Sequence, residues 1–338
     1  MSNRPPSRLL NHQRPPAHRW LITFIGFLYL FDAAAADQPA TSSQPDAPLH
    51  IGFSYTMFIG INTTDARNSI KALTACIAQE INTPAETDPL IFENVDEAEN
   101  VLNRHEIGAV SMTTSEFWLL RQKVKFDRFL VTTRNGIPTN AYVLLAREGG
   151  PIRTLADLRG KQLLIYDNPA MSLAMVFINV ELAKQSLPPA TETLRSISKF
   201  PKPAKVVLPV FFGQADACLI TRNAYETMVE LNPQVGRQLH IITSSPNYVT
   251  ALFGFRADLP TALKEKCIQA FIGLRSSIFG KQTLAVFQSE EISELPASAT
   301  ETSIALLDEH ARLCPEANAA FIAALKGLRP VPVPQPKP

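Results

Sequence analysis

The sequence predicts an α/β protein built as two similar lobes around a cleft. Three observations lead there. Segments with strand-like and helix-like apolar spacing alternate from residue 50 onward, the pattern of largely parallel sheets covered by helices. The stretch IGAVSMTTSEF (107–117) aligns with ADACLITRNAY (215–225) over eleven residues without a gap, each after a helix and a turn and each ending in a polar loop that opens another helix. Their matching places in two successive series read as duplication of a lobe, and strand-end loops of paired α/β lobes face a shared cleft. Last, the extended segments 141–147 and 248–256 fall where the chain crosses between the two series, which makes them the expected hinge strands.

The chain has 338 residues, long enough for two ordinary domains, and its beginning stands apart. Arg4, Arg8, Arg14 and Arg19 precede the apolar run WLITFIGFLYLF (20–31), and Asp32 with four alanines follows. A basic flank, a short apolar core and small residues read as a secretory signal peptide, here residues 1–36. The alternative, an uncleaved anchor, needs about 20 apolar residues, more than this run supplies. No cysteine follows the alanines, which argues against a lipid anchor. Without residues 1–36, which carry four arginines and one aspartate, the formal charge falls from +1 to −2. A nearly neutral mature chain argues against nucleic-acid binding, which needs a basic face.

A polar leader (37–48) precedes the first series. HIGFSY (50–55) reads as a strand, and Ile70, Leu73, Ile77 and Ile81 mark one buried face of a helix. LIFENV (90–95) is a strand, Asp96 caps a helix through Ala98, Val101 and Leu102, and IGAVSM (107–112) is the next strand. FLVTTR (129–134) and AYVLLAR (141–147) follow. The second series opens with GGPIRTLADLRG (149–160), then the strand QLLIYD (162–167) and a helix bearing Met171, Met175, Ile178 and Leu182. AKVVLPV (204–210), ADACLIT (215–221), HIITSS (240–245) and YVTALFGFR (248–256) continue the alternation. Two amphipathic helices, from PTALKEKCIQAFIGLRSSIF and SIALLDEHARLC, are expected to complete the first lobe, and RPVPVPQPKP (329–338) is a tail that buries no core. Export permits disulfides; of Cys76, Cys218, Cys267 and Cys314, the last two are the favoured pair, with isolated buried thiols the competing reading.

Catalytic signatures do not stand out. The four histidines outside the signal region are isolated, and no H-E-x-x-H, G-x-S-x-G, P-loop or G-x-G-x-x-G occurs. No metal or cofactor is expected. The strand-end loops instead offer small polar groups beside helix N-termini, where unpaired N–H groups favour anions. The first loop supplies Ser54 and Tyr55, the third Thr113, Thr114, Ser115 and Glu116. The second lobe adds Asn168, Ser172, Asp216, Thr221, Arg222 and Asn223. Arg222 suits a carboxylate or phosphonate, and Asp216 or Glu116 a ligand ammonium. Each also has a structural reading: hydroxyls cap helices, and aspartates bond turns. In DNPAMS (167–172), Asn168 reads as an N-cap and Pro169 as the first helical residue, leaving the N–H groups near Ala170–Ser172 aimed at the cleft.

The residues IGFSY (51–55), TLADLRGK (154–161) and GQADA (213–217), behind a signal peptide, resemble the periplasmic substrate-binding proteins of phosphate, phosphite and phosphonate ABC transporters. The resemblance covers roughly residues 49–285. It implies a two-lobed type II periplasmic-binding-protein fold with two hinge-crossing strands. By resemblance lobe one comprises 49–147 and 248–328 and lobe two 148–247. It also implies a periplasmic monomer that closes over a small anion or zwitterion, phosphonate-like or phosphate-like, and delivers it to an inner-membrane ABC permease. Two departures stand out. Asn-Pro-Ala-Met-Ser replaces the hydroxyl-rich loop of phosphonate binders, and His105-Glu106-Ile107-Gly108 replaces a Gly-x-x-Asp turn. Two other readings compete: a periplasmic sensor that presents the same fold to a membrane receptor, and an enzyme using Cys218 or Glu116.

Overall fold

Unbroken apolar runs need neighbours on both sides, and most of those in this chain become inner strands. The computed structural model describes residues 50–58, 62–82, 90–133, 136–286 and 289–327. The expected signal peptide, leader and tail lie outside the described residues. In chain order the strands are β1 (Ile51–Ser54), β2 (Leu90–Phe92), β3 (Ala109–Thr113), β4 (Phe126–Thr133), β5 (Tyr142–Arg147), β6 (Gln162–Tyr166), β7 (Ser196–Phe200), β8 (Ala217–Thr221), β9 (Leu239–Ser244), β10 (Ala251–Arg256) and β11 (Glu291–Leu295). The helices are α1 (Thr63–Glu80), α2 (Val95–Asn103), α3 (Thr114–Leu120), α4 (Ala174–Lys184), α5 (Ala190–Thr193), α6 (Pro203–Phe211), α7 (Arg222–Leu231), α8 (Pro233–Gln238), α9 (Thr261–Gly273), α10 (Ile278–Val286), α11 (Glu301–Leu313) and α12 (Pro315–Leu325).

Two sheets result, ordered β11-β4-β10-β3-β1-β2 and β7-β6-β8-β5-β9. They share one plan. β1 lies parallel to β2 and β3, as β6 lies parallel to β7 and β8. A strand arriving from the other series then runs antiparallel between two of these neighbours: β10 between β3 and β4, β5 between β8 and β9. The sheets are therefore mixed rather than largely parallel, because each receives one strand that returns from its twin.

The expected hinge strands 141–147 and 248–256 sit largely inside these sheets. Tyr142 to Leu145 of β5 are fully buried in the second sheet, and β10 is buried in the first. Among the described residues the crossings themselves are 136–141 and 245–250. They are tied at one point, where Asn140 and Tyr248 exchange two backbone hydrogen bonds of 2.8 Å.

Local chemistry accounts for several differences from the expected elements. Asn94, not Asp96, caps α2, its side chain accepting from the Glu97 N–H at 2.9 Å. AKVVLPV lies in α6, which opens with Pro203 and accommodates Pro209 near its end. The short strands β7 and β11 carry too few apolar residues to stand out by periodicity. All four cysteines are free. The favoured Cys267–Cys314 bridge is absent because Cys267 packs in the core beneath the first sheet, whereas the Cys314 thiol faces the Asn179 carbonyl at 3.5 Å.

The C-terminal helices divide their contacts. α9 and α10 pack on α1 and the first sheet, while α11 lies against both α3 and α4. At that junction His310 is buried between Asn179 of α4 and Asn318 of α12. The Asn318 carbonyl oxygen accepts from Nδ1, so Nε2 is left to accept from the Asn179 amide, an arrangement that needs the neutral ring. Burial lowers the pKa of His310. The unfolded chain therefore binds the proton more readily, and this contribution to stability is complete above the ordinary histidine pKa and declines as pH falls below ~6.5. Urea unfolding at pH 7.5 and pH 5 should show a larger acid loss for the wild type than for His310→Gln. Equal losses would remove His310 from that role.

Candidate functional site

The repeated stretch builds the same corner twice. β3 ends on Thr113, which caps α3; β8 ends on Thr221, which caps α7. In each case the threonine hydroxyl accepts the N–H three residues on, Glu116 or Ala224, at 3.3 Å. Aligned residues thus do the same work in both lobes.

Their surroundings then diverge. In the first lobe Glu116, 1% exposed, completes a capping box. Its carboxylate accepts from the Thr113 N–H (2.7 Å), the Thr113 hydroxyl (2.9 Å), the Ser54 hydroxyl (2.5 Å) and the Thr56 hydroxyl (3.1 Å). The Thr114 hydroxyl donates to the Val249 carbonyl at 2.6 Å, and its N–H to Thr250 at 3.0 Å, fastening α3 to the second crossing. Ser115 is buried beside them and its hydroxyl has no hydrogen-bond partner. Glu116 is therefore spent on its own helix rather than on a ligand ammonium, and Ser54 on Glu116.

In the second lobe the corresponding corner is open. Arg222 donates its N–H to Ala141 at 2.7 Å and its guanidinium to the Ser244 hydroxyl at 2.6 Å, with Glu226 more distant at 3.9 Å. Thr221, Arg222 and Asn223 line a cavity of about 840 Å³. Asn168 and Lys202 line it from the same lobe, Asn140 and Asn247 from the two crossings, and Ser111, Thr132 and Thr133 from the first sheet. The N-termini of α6 and α7 both border the cavity, through Pro203 and Ala204 and through Arg222 to Ala224. The leading N–H groups of a helix have no acceptor within it and carry partial positive charge.

Of the residues singled out in the sequence, Asn168, Thr221, Arg222 and Asn223 meet at this cavity. The others are placed elsewhere. Tyr55 is 47% exposed on a 3-10 turn. The Ser172 hydroxyl donates to the Thr250 carbonyl at 3.0 Å, joining the second lobe to the crossing. Asp216 precedes β8, at the end opposite Thr221, where it accepts the Gln162 N–H at 2.8 Å and lies 3.8 Å from Arg195. The DNPAMS loop also differs from expectation. Asn168 does cap, accepting from Ala170 at 2.9 Å, but Pro169–Met171 form a 3-10 turn whose i to i+3 bonds use the Met171 and Ser172 N–H groups as well. No N–H of residues 170–172 is left for a ligand. Lys202 escaped the sequence reading because it follows β7, a strand that periodicity does not reveal.

The groups considered for catalysis are occupied or inert. Cys218 is fully buried in β8, and desolvation drives its thiol pKa far up, the opposite of what a nucleophile needs. Burial also raises the pKa of Tyr142, whose hydroxyl donates to the Ala170 carbonyl at 2.9 Å.

Comparison with known proteins follows the same line. A family model described as "ABC transporter, phosphonate, periplasmic substrate-binding protein" matches residues 61–299. No curated protein matches the chain. Among solved structures, XAC2383 from Xanthomonas citri bound to ATP is similar, with a TM-score of 0.57, 16% identity, and coverage of 79% of this chain and 98% of that one. PhnD1 from Prochlorococcus marinus in complex with methylphosphonate gives a TM-score of 0.53 at 12% identity, covering 78% of this chain and 97% of that one. A binding-protein component of an ABC phosphonate transporter from Pseudomonas aeruginosa gives 0.51 at 16% identity, covering 83% and 95%. These likenesses establish a shared two-lobed fold.

Proposed function

This chain belongs to the periplasmic substrate-binding proteins of phosphonate ABC transporters, and from that premise we propose that it is the exported, non-catalytic carrier of a small oxyanionic solute. The family binds small anions and works with an ABC permease. Here the anion would sit at the second-lobe corner. Lys202 and Arg222 supply charge, Asn168 and Asn223 neutral donors, and the N-termini of α6 and α7 partial positive charge. The observation that carries the reading is the cavity, which takes lining residues from both sheets and both crossings. The two connections, 136–141 and 245–250, act as the hinge, and the lobes close on the solute by bending there. Residues 1–36 serve as the signal peptide that brings the protein to the periplasm, where it acts as a monomer with an inner-membrane permease and without nucleic acid.

A thermal-shift screen of the purified protein with phosphate, phosphonates, sulfonates, carboxylates and amino acids tests this. Saturable stabilisation by a tetrahedral oxyanion is expected, worth about 2.7 kcal/mol when the solute stands at 100 times its Kd. Stabilisation by amino acids alone, or turnover of the solute that binds, would refute it.

A further inference from the structure

The second crossing is held from three directions. The Val249 carbonyl accepts from the Thr114 hydroxyl of α3 at 2.6 Å and from the Ser303 hydroxyl of α11 at 2.9 Å. The Thr250 carbonyl accepts from the Ser172 hydroxyl of the second lobe at 3.0 Å. Asn247 and Thr250 line the cavity, whereas among the described residues none of α3, α4, α11 or α12 does. The cavity and α11 therefore meet this crossing on different sides.

Besides the two crossings, α11 is a third tie between the lobes. Its Ile304, Leu306 and Leu307 belong to one continuous core that includes Leu102 and Trp118 of the first lobe and Ile178 and Leu182 of the second. Toward the second lobe the grip is broad and largely buried. There α11 packs on α4, more extensively than on α3. The buried His310 contacts the Asn179 amide at 3.4 Å, the Cys314 thiol faces the Asn179 carbonyl, and Glu309 pairs with Lys184 at 3.2 Å. Toward the first lobe the polar grip is narrow. Asp308 accepts from the Trp118 indole N–H at 2.7 Å and lies 3.8 Å from Arg121. Lys326, which follows α12, pairs with Asp96 at 3.0 Å. Both of these ion pairs join half-exposed side chains and contribute little. The indole bond is the oriented contact.

A rotation about the crossings that narrows the cavity widens the gap on the far side, where α11 lies against both α3 and α4. The helix can then stay with one lobe only. We infer that α11 travels with the second lobe, and that the Trp118–Asp308 hydrogen bond is a latch that holds the lobes in their present arrangement and breaks as they close. Neither residue lines the cavity, so the pair acts on closure without touching a solute. The inference uses the hinge described above and is independent of which anion the cavity takes.

Dipolar distance measurement between spin labels on Gln79→Cys in α1 and Glu230→Cys in α7, exposed positions in different lobes, tests this on the purified protein without added solute. Cys76→Ser removes the one native thiol that is not buried. Asp308→Ala and Trp118→Phe should each shift the distribution away from its wild-type maximum, raising the ratio of displaced to undisplaced molecules about 2–10-fold, the worth of one hydrogen bond. Asp308→Asn keeps an acceptor for the indole and should retain the wild-type distribution. Asp308 is half-exposed, so its variants test the latch even where Trp118→Phe fails to fold. An unchanged distribution in Asp308→Ala would overturn the latch, as would an equal shift in Asp308→Asn. Either result leaves the anion site standing, since that site is tested by the thermal-shift screen.

Discussion

Replacing Glu116 with alanine should lower the unfolding free energy by about 2–4 kcal/mol, the range for a buried hydrogen-bonded charge whose partners are left unmatched. The carboxylate accepts from three hydroxyls and one N–H, all donated by residues of the first-lobe corner. Truncation strands the Thr113 N–H in a buried site and removes half of the α3 capping box. At this chain length each kcal/mol lowers Tm by about 1–2 °C. Glu116→Gln keeps one acceptor and should lose about half as much, since its amide nitrogen faces donors. Urea unfolding of the three proteins is the measurement. If Glu116→Ala keeps full stability and instead loses solute binding, the carboxylate is a ligand group and the structural assignment fails.

Arg222→Ala should act in the opposite way, sparing the fold and weakening the solute. The residue opens α7 and its backbone bond to Ala141 survives substitution. What is lost is a guanidinium at the cavity whose protein partners are a serine hydroxyl and a carboxylate 3.9 Å away. A charge-assisted hydrogen bond contributes about 1.5–3 kcal/mol, so affinity for the oxyanion found in the thermal screen should fall by roughly 10–100-fold. Glu226→Gln removes the opposing charge and should tighten binding severalfold, most visibly at low salt. Titration calorimetry at two ionic strengths reads both effects. Unchanged affinity in Arg222→Ala would place the anion elsewhere in the cavity.

These two residues also mark how far the sequence could be read. Glu116 and Arg222 hold equivalent neighbourhoods, three residues after Thr113 and one after Thr221, in the repeated stretch that signals the paired lobes. Nothing in either segment tells that one carboxylate is walled in by Ser54 and Thr56, which lie some sixty positions earlier in the chain, while the other corner opens on a cavity. Asp216 shows the same limit on a shorter scale. It is five residues from Thr221, yet a strand carries those five residues across the sheet, so the two ends of β8 face different surroundings. The DNPAMS loop was legible as a helix start, and the cap and the proline stand as read. Its tightening to a 3-10 turn was not legible, because that choice lies with the packing of Met171 and with the Ala170 carbonyl held by Tyr142.

By itself the sequence determined the alternation of elements and the two-lobe plan, and through its motifs a resemblance to a solute-binding family. The first two rest on periodicity and on local backbone chemistry, which act over a few residues. The tertiary structure alone decided which polar groups are spent inside the protein, where the crossings lie, and that a cavity joins the sheets. Burial and hydrogen-bond partnership are set by residues far apart in the chain, so only the assembled fold could assign them.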